Sequence, residues 1–364
     1  MSSKITPISG CSRCERVPDP LPASGHLYLA PPMIHTTREL MGYFDQMGLE
    51  YSEPYNGIFK VGFKQTELET LCQDFLSNVS RLELNDTKAL VLGQNEELTV
   101  HHVTRMEPLE SIVAKIEGEW LFEMLSDDRI FSHFHPIVSA NNPAEVFAYE
   151  CLARATSEEG QFVNPGKMFE IARQTGMSFN LDRACRLAAI RGCVEHGLDK
   201  PIFVNFSPGT IYNPKHCLQT TMEAIMQANL SPEKIVFEVV ESEEIADIDH
   251  LLGILNYYRE NGFRVALDDL GAGYSSLNLL SKLRPDFIKL DMELIRGVDS
   301  EPYKSVITEN ILSMSQRLGV KTIAEGVETI GEFQWLQDKG TDYIQGFLFA
   351  KPAAPPEHVR IPEG

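Results

Sequence analysis

Short apolar runs alternate with longer amphipathic stretches from Phe131 onward. The runs are FSHFHPIVS, FAYECLAR, PIFVNFS, KIVFEVVES, RVALDDL, FIKLD, KTIAEGV and YIQGFLFA. This pattern is typical of buried parallel strands joined by crossover helices, as in a (β/α) barrel or an extended doubly wound sheet. Because there are eight runs, we favour the barrel. The first connection, SANNPAEV, is too short for a crossover helix, so the first strand pair should be antiparallel.

A second pattern occupies residues 26–108. Its apolar positions predict strands at HLYLAP, NGIFKVGF and TKALVLG, and helices at TTRELMGYFDQMG and TELETLCQDFLSNVSRL. These elements describe a small α/β sandwich domain without a chemical signature. We interpret it as a regulatory or interaction domain; the alternative is a domain that only adds stability or helps dimerisation.

The remaining segments complete the predicted organisation. Residues 1–25 are polar and rich in Pro and Ser, which indicates a flexible N-terminal tail. Residues 109–126 repeat apolar side chains at helical spacing, interrupted by Gly118, and predict a connecting helix. We therefore expect an α/β protein with a TIM-like (β/α)8 barrel over residues 127–364, preceded by the small α/β sandwich.

The composition of the chain argues against several classes of function and location. A net charge of −20 over 364 residues argues against DNA or RNA binding. No apolar run reaches the roughly 18 residues of a membrane span, and the N-terminal segment lacks a signal-peptide core. Seven scattered cysteines fit a reducing cytoplasm. Cys11 and Cys14 form a C-x-x-C pair, which is either a zinc site or part of a thiol-bearing tail.

Polar side chains recur in or at the C-terminal ends of the apolar runs. They are Glu150, Asn205, Glu238, Asp268, Asp269, Lys289, Glu325 and Gln345. In a barrel these strand ends converge on one mouth, where such folds hold their active sites. Several of these residues interrupt segments that must be buried on both faces, so a solvated surface explains them poorly.

The types of these side chains select a metal. Carboxylates and an amide suit hard cations such as Mg²⁺, Mn²⁺ or Ca²⁺. Asp268 and Asp269 are adjacent, and a two-ion site would remove their repulsion and suit displacement at phosphorus. Lys289 is either a structural counter-ion to the carboxylates or the group that orients the attacking water, and both roles can hold together.

The motifs YECLAR, VNFS, FEVVES, LDDLGAGYSSL, IKLD, AEGVET and QGFLFAKP, taken in order, resemble the EAL family of cyclic di-GMP phosphodiesterases. The resemblance covers roughly residues 120–353. It implies a barrel that hydrolyses one phosphodiester bond of cyclic di-GMP to linear pGpG with Mg²⁺ or Mn²⁺, using two ions. Such an enzyme lowers the level of a bacterial second messenger. We also expect a homodimer through the barrel.

The resemblance also implies a role for each matching residue. The implied metal ligands are Glu150, Asn205, Glu238, Asp268, Asp269 and Glu325, with Asp268 shared between ions. The implied catalytic residues are Lys289, which contacts the hydrolytic water, with Glu150 and Glu325. The implied substrate-binding residues are Arg154, Glu328 and Gln345. Glu241 matches a glutamate that steadies the glycine-rich loop.

The sequence departs from the family pattern at four positions. Cys151 replaces the usual alanine, and Leu270 and Ala272 replace an aromatic residue and a threonine in the glycine-rich loop. His135 stands where glutamine is usual. The loop changes bear on regulation or rate. The alternative function is a catalytically silent cyclic di-GMP receptor that acts through partner binding.

Overall fold

The computed structural model describes residues 21–240, 247–271 and 276–360. The described chain divides into two compact units. One unit comprises residues 21–129 and 156–181, and the other comprises residues 130–155 and 182–360. Residues 156–181 lie inside the predicted barrel segment but belong to the unit that contains the N-terminal sheet. The predicted domain boundaries at residues 108 and 126 stay a prediction.

The N-terminal unit contains a five-stranded antiparallel sheet in the order β2-β3-β1-β4-β5. Its strands are β1 (Ser24–Ala30), β2 (Tyr51–Tyr55), β3 (Ile58–Lys64), β4 (Lys88–Gly93) and β5 (Glu107–Pro108). Its first helices are α1 (Ile34–Met47), α2 (Gln65–Asn78), α3 (Arg81–Asp86) and α4 (Val100–Val103). Strand β2 was not predicted from the sequence, because every residue of YSEPY is exposed and the segment has no apolar alternation. The single helix expected near residues 66–82 is two helices, since the Ser80 side chain caps α3 through the Glu83 N–H.

The predicted connecting segment forms two consecutive helices, α5 (Leu109–Glu117) and α6 (Glu119–Ser126). They meet at Gly118, where a Cβ atom would lie 2.5 Å from Ile171 Cγ2. Leu109, Ile112 and Val113 of α5 are buried in the same hydrophobic cluster as the sheet and α1–α3. The segment is therefore part of the core of the N-terminal unit.

Eight strands close into a barrel, which confirms the predicted fold class. They are β6 (Ile130–Ser139), β7 (Val146–Thr156), β9 (Ile202–Asn205), β10 (Ile235–Val240), β11 (Arg264–Leu270), β12 (Phe287–Leu290), β13 (Lys321–Ala324) and β14 (Tyr343–Ile344). Strand β6 is antiparallel to both neighbours, β7 and β14, and the other pairs are parallel. The short strand β8 (Phe162–Val163) extends the sheet beyond β7.

Helices follow most barrel strands. They are α7 (Pro165–Gln174), α8 (Ser178–Glu195), α9 (Pro214–Cys217), α10 (Gln219–Gln227), α11 (Ile248–Glu260), α12 (Ser276–Leu283), α13 (Met292–Ile295), α14 (Pro302–Leu318) and α15 (Ile330–Asp338). Local sequence sets their ends: the Glu301 side chain accepts the first N–H groups of α14, and Gly319 ends it at φ 73°. No helix in the described ranges has both the length and the apolar content for crossing a membrane.

One apolar layer fills the barrel interior. It contains one side chain from each strand: Ile137, Ala148, Phe203, Val236, Ala266, Phe287, Ile323 and Tyr343. Because side chains on a strand alternate between its two faces, residues two positions along each strand also point inward. The layer therefore forms the floor beneath the next ring of side chains.

Candidate active site

The ring above the apolar layer is polar on every strand. Each member lies two positions from a floor residue, and for the antiparallel strand β6 the step runs backwards along the chain. The ring comprises His135, Glu150, Asn205, Glu238, Asp268, Lys289, Glu325 and Gln345. Seven of the eight strand-end residues predicted from the sequence thus lie in one layer, and Asp269 does not. The sequence singled out His135 only as a departure from the family pattern, and the structure places it in the ring.

Lys289 is the electrostatic centre of the ring. Its side chain is 1% exposed, and its Nζ atom lies 2.6 Å from Glu325 Oε1, 2.8 Å from Glu238 Oε1, 2.9 Å from Asp268 Oδ1 and 3.3 Å from Glu150 Oε1. The four carboxylates raise the pKa of Lys289 well above its ordinary value against the opposing effect of burial. One ammonium group therefore faces four carboxylates in a site of low dielectric constant.

The single positive charge of Lys289 does not balance the negative charge of the surrounding carboxylates. Burial, followed by neighbouring negative charge, raises the pKa of Glu238 and that of Glu325 well above the usual range, and it also raises the pKa of Asp268. Burial acts the same way on Glu150, but Lys289 and Gln345 outweigh it and lower the pKa. Both carboxylate oxygens of Glu238 are buried, and neither accepts a well-directed hydrogen bond from any described residue, although Lys289 Nζ lies 2.8 Å from Oε1. The site is thus short of positive charge.

A backbone irregularity brings Asp268 and Asp269 to the same place. Consecutive residues of a regular strand point to opposite faces. Here the pairing of β11 with β12 shifts register between Leu267 and Leu270, and Asp269 has φ 55°, in the left-handed region. Aspartate tolerates this conformation better than most residues. Burial and then the Asp268 charge raise the pKa of Asp269 to about 6.

Two groups of carboxylates have the spacing of metal-ligand sets. Oxygens of Glu150, Glu238 and Asp268 lie within 4.8 Å of one another, and so do those of Asp268, Asp269 and Glu325. Asp268 belongs to both groups. Asn205 adjoins Glu238 in the parallel register of β9 and β10. The shared aspartate, the unsatisfied Glu238 oxygens and the oxygen-only donor set fit divalent cations.

A cavity of about 400 Å³ opens above the ring. Its lining includes Arg154, which is half-buried and donates to the Ala153 carbonyl at 2.8 Å, and Glu328, which pairs with Arg296 at 2.5 Å. The backbone N–H of Glu328 donates to the buried Glu332 carboxylate at 3.0 Å. Cations and carboxylates therefore share the mouth of the site. Such a cavity is in the range of small-ligand sites.

Gln345 and His135 complete the ring beside Glu150. Gln345 Nε2 donates to Glu150 Oε2 at 2.8 Å, and both residues are buried. His135 pairs with Glu150 across β6 and β7, and its Nε2 atom lies 3.2 Å from the Ala350 carbonyl oxygen. Burial lowers the pKa of His135, which favours the neutral ring. The hydrogen bond from Gln345 fixes the orientation of the Glu150 carboxylate.

Some predicted residues cannot be placed, and others were missed. Glu241, Ala272, Cys11 and Cys14 lie outside the described residues. Asp291 and Arg296 also line the cavity and were not predicted from the sequence. Asp291 directly follows the strand FIKL, so its position at a strand end was the available signal.

The EAL domain family model matches residues 119–352, which include the whole ring and the whole cavity lining. The chain belongs to the EAL family. Its EAL barrel resembles the crystal structure of a standalone versatile EAL protein from Vibrio cholerae O395, in a form bound to c-di-GMP. That comparison gives a TM-score of 0.58 and 34% identity over 64% of this chain and 95% of that chain.

Curated EAL relatives include two cyclic di-GMP phosphodiesterases. PdeR of Escherichia coli strain K12 is 30% identical over 236 residues, which are 64% of this chain and 35% of that protein. NbdA of Pseudomonas aeruginosa is 29% identical over 287 residues, which are 77% of this chain and 35% of that protein. The chain thus spans about a third of the length of these relatives.

Proposed function

We propose that this protein hydrolyses one phosphodiester bond of cyclic di-GMP in a metal-dependent reaction and releases linear pGpG. The observation that carries the proposal is the position of Lys289 Nζ within 3.3 Å of four carboxylates at the mouth of an EAL barrel. The phosphodiesterase activity of the named relatives and the cyclic dinucleotide in the Vibrio cholerae structure support the substrate.

The proposed metal ligands are Glu150, Asn205, Glu238, Asp268, Asp269 and Glu325. We assign them two ions, Mg²⁺ or Mn²⁺, because Asp268 belongs to both carboxylate groups. Bound ions of this kind supply Lewis-acid activation of water and of a phosphoryl oxygen. In their absence the raised pKa values of Glu238 and Glu325 favour proton uptake at these positions.

The remaining groups position the reactants. Lys289 donates a hydrogen bond to the attacking water and keeps a positive charge against the carboxylates, which combines its two predicted roles. Arg154 and Glu328 lie at the cavity wall, where Arg154 faces a substrate phosphate. Gln345 holds Glu150 and also contacts substrate. Glu241 steadies the glycine-rich loop, as the family resemblance implies.

The alternative is a catalytically silent receptor that binds cyclic di-GMP and acts through a partner. All six proposed ligands and Lys289 carry the residue types of the family pattern, which favours the enzyme. Two departures from the family pattern lie near these ligands, His135 beside Glu150 and Leu270 beside the aspartates, and they bear on a polar contact and on rate or regulation. Both of these side chains are buried, and neither replaces a ligand.

We further propose a cytoplasmic homodimer that binds neither DNA nor RNA. Helix α14 exposes Tyr303, Val306 and Ile307 on one turn, at 81%, 59% and 47%, which supports a contact through the barrel. Free thiols at Cys72, Cys151 and Cys185 support a reducing compartment. Residues 26–108 are proposed to be regulatory, since no catalytic group was assigned to them.

Chelation followed by metal add-back tests the proposal. Metal-stripped protein should produce no pGpG, and Mg²⁺ or Mn²⁺ should restore production. Ca²⁺ should bind without restoring it, because its looser coordination disfavours the reaction geometry. Full hydrolysis by protein shown to be free of metal would exclude this mechanism.

A further inference from the structure

Asp182 and Arg186 form a buried ion pair one turn apart in α8. Their residues are 5% and 0% exposed. Arg186 Nε also donates to Thr221 Oγ1 at 3.2 Å, and Arg186 Nη2 has no hydrogen-bond partner among the residues that the structure describes. Burying an ion pair gains little net stability, because desolvation offsets the attraction. This pair therefore calls for an explanation besides stability.

Asp182 contacts the segment that directly follows Asn205. Its Oδ1 atom accepts the Ser207 backbone N–H at 2.9 Å, while Oδ2 faces Arg186. The Thr210 N–H and hydroxyl in turn donate to the Ser207 carbonyl at 3.2 and 2.8 Å. Asp182 thus anchors the turn that leaves β9.

The same segment is fixed to β10 on its other side. The Phe206 N–H donates to the Glu238 carbonyl at 3.3 Å, and the Phe206 ring packs edge-on against Tyr258 at 5.2 Å. Asn205 pairs with Glu238 in the strand register. Asn205 is therefore held between the strand ladder and the contact of Asp182 with Ser207.

We propose that Asp182, oriented by Arg186, is a positioning residue for the metal-binding amide of Asn205. The inference rests on the proposed function, since it takes Asn205 as a ligand. A neutral amide binds a cation more weakly than a carboxylate does, so its contribution depends on how well its oxygen is aimed. Loss of a group that orients a ligand typically weakens metal affinity about 10- to 100-fold.

Two double variants separate positioning from charge. Both remove the ion pair, but Asp182→Asn with Arg186→Leu keeps an oxygen acceptor for the Ser207 N–H, whereas Asp182→Leu with Arg186→Leu does not. Mn²⁺ affinity is measured by calorimetry on metal-stripped full-length protein, with thermal unfolding as the check of fold. We expect about tenfold weaker binding for the Leu/Leu variant and affinity within about twofold of wild type for the Asn/Leu variant.

Repeating the comparison in an Asn205→Ala background tests the link to the amide. The Leu/Leu effect should shrink to less than about twofold there, because coupled residues are not additive. An equally large loss without Asn205, or wild-type affinity in the Leu/Leu variant, would overturn the inference. If that variant fails to fold, the double variant Asp182→Ala with Arg186→Met replaces it, and its Mn²⁺ affinity is measured with and without Asn205→Ala. Wild-type protein that binds Mn²⁺ but forms no pGpG would count against the proposed function alone.

Discussion

Lys289 and Glu325 meet between neighbouring strands β12 and β13, with Nζ 2.6 Å from Oε1. The same ammonium reaches carboxylates that extend from β7 to β13, so one cation joins five strands of the barrel. Its structural and catalytic roles therefore have the same geometric origin. Removing the Lys289 ammonium group should therefore abolish turnover, and it should lower stability more in the metal-free protein than in the metal-bound protein.

Replacing Lys289 with methionine should abolish hydrolysis and lower the stability of the metal-free protein. Removing one partner of a buried ion pair typically costs about 3–5 kcal/mol, because the remaining charge is left unpaired. Mn²⁺ should recover part of this loss, so the metal-induced rise in melting temperature should exceed that of wild type. Equal melting temperatures for the two metal-free proteins would contradict the central position of Lys289.

Metal binding should release protons, and affinity should increase with pH. The pKa of Asp269 in the folded protein, about 6, lies above its ordinary value of 3.8. The protonated carboxyl therefore stabilises the metal-free fold fully below pH 3.8, and this contribution is lost as the pH rises through about 6. The pKa values of Asp268, Glu238 and Glu325 are also raised, so these carboxylates add to the proton release in the same direction as Asp269. The pKa of Glu150 is lowered, so Glu150 does not contribute in this way.

Calorimetry at about pH 5.5 and about pH 7.5 checks this prediction. Mn²⁺ should bind more tightly at the higher pH. At the lower pH, the observed heat should depend on the ionisation enthalpy of the buffer. Heats that do not change with the buffer would show that the carboxylates bind metal without losing protons.

Gly346→Ala should reduce turnover although it removes no ligand. A Cβ atom at Gly346 would lie 2.0 Å from the Val327 carbonyl oxygen, so the chain must shift next to Gln345, which holds Glu150. Displacements of this kind commonly cost about 10²-fold in rate. The control is Gly253→Ala at an exposed position of α11, where a Cβ meets no atom within 4 Å. This change should stabilise the helix by about 0.5–1 kcal/mol. Unchanged turnover of Gly346→Ala would contradict the role assigned to Gln345.

The ring could be predicted from the sequence because side chains alternate between the two faces of a strand. Each polar residue therefore points to the same side as the apolar residue two positions away. Glu150 and Lys289 interrupt buried runs, and their strand ends converge in any barrel. The position of Asp269 could not be predicted in this way, since it depends on a register shift and a left-handed residue. Alternation gave no signal for the exposed strand β2, and it could not show that residues 156–181 belong to the N-terminal unit.

Removal of residues 1–118 should change turnover if the module formed by residues 26–108 is regulatory. The shortened chain begins at Glu119 because Leu109, Ile112 and Val113 are buried in the core of the module and would be exposed without it. Turnover and oligomeric state of the two chains are compared after circular dichroism shows that both are folded. Equal turnover and an equal number of subunits would remove the regulatory claim.

The most direct test of the account compares cyclic di-GMP binding with pGpG formation in wild type, Glu150→Gln and the exposed-carboxylate control Glu260→Gln. With Mn²⁺, wild type and Glu260→Gln should convert the cyclic dinucleotide to pGpG, as measured by chromatography. Glu150→Gln should still bind it but turn over about 10²–10³-fold more slowly, because it lacks a group that stabilises charge in the transition state. Wild-type protein that binds cyclic di-GMP tightly with Mn²⁺ yet yields no pGpG over hours would contradict the hydrolase and leave the receptor.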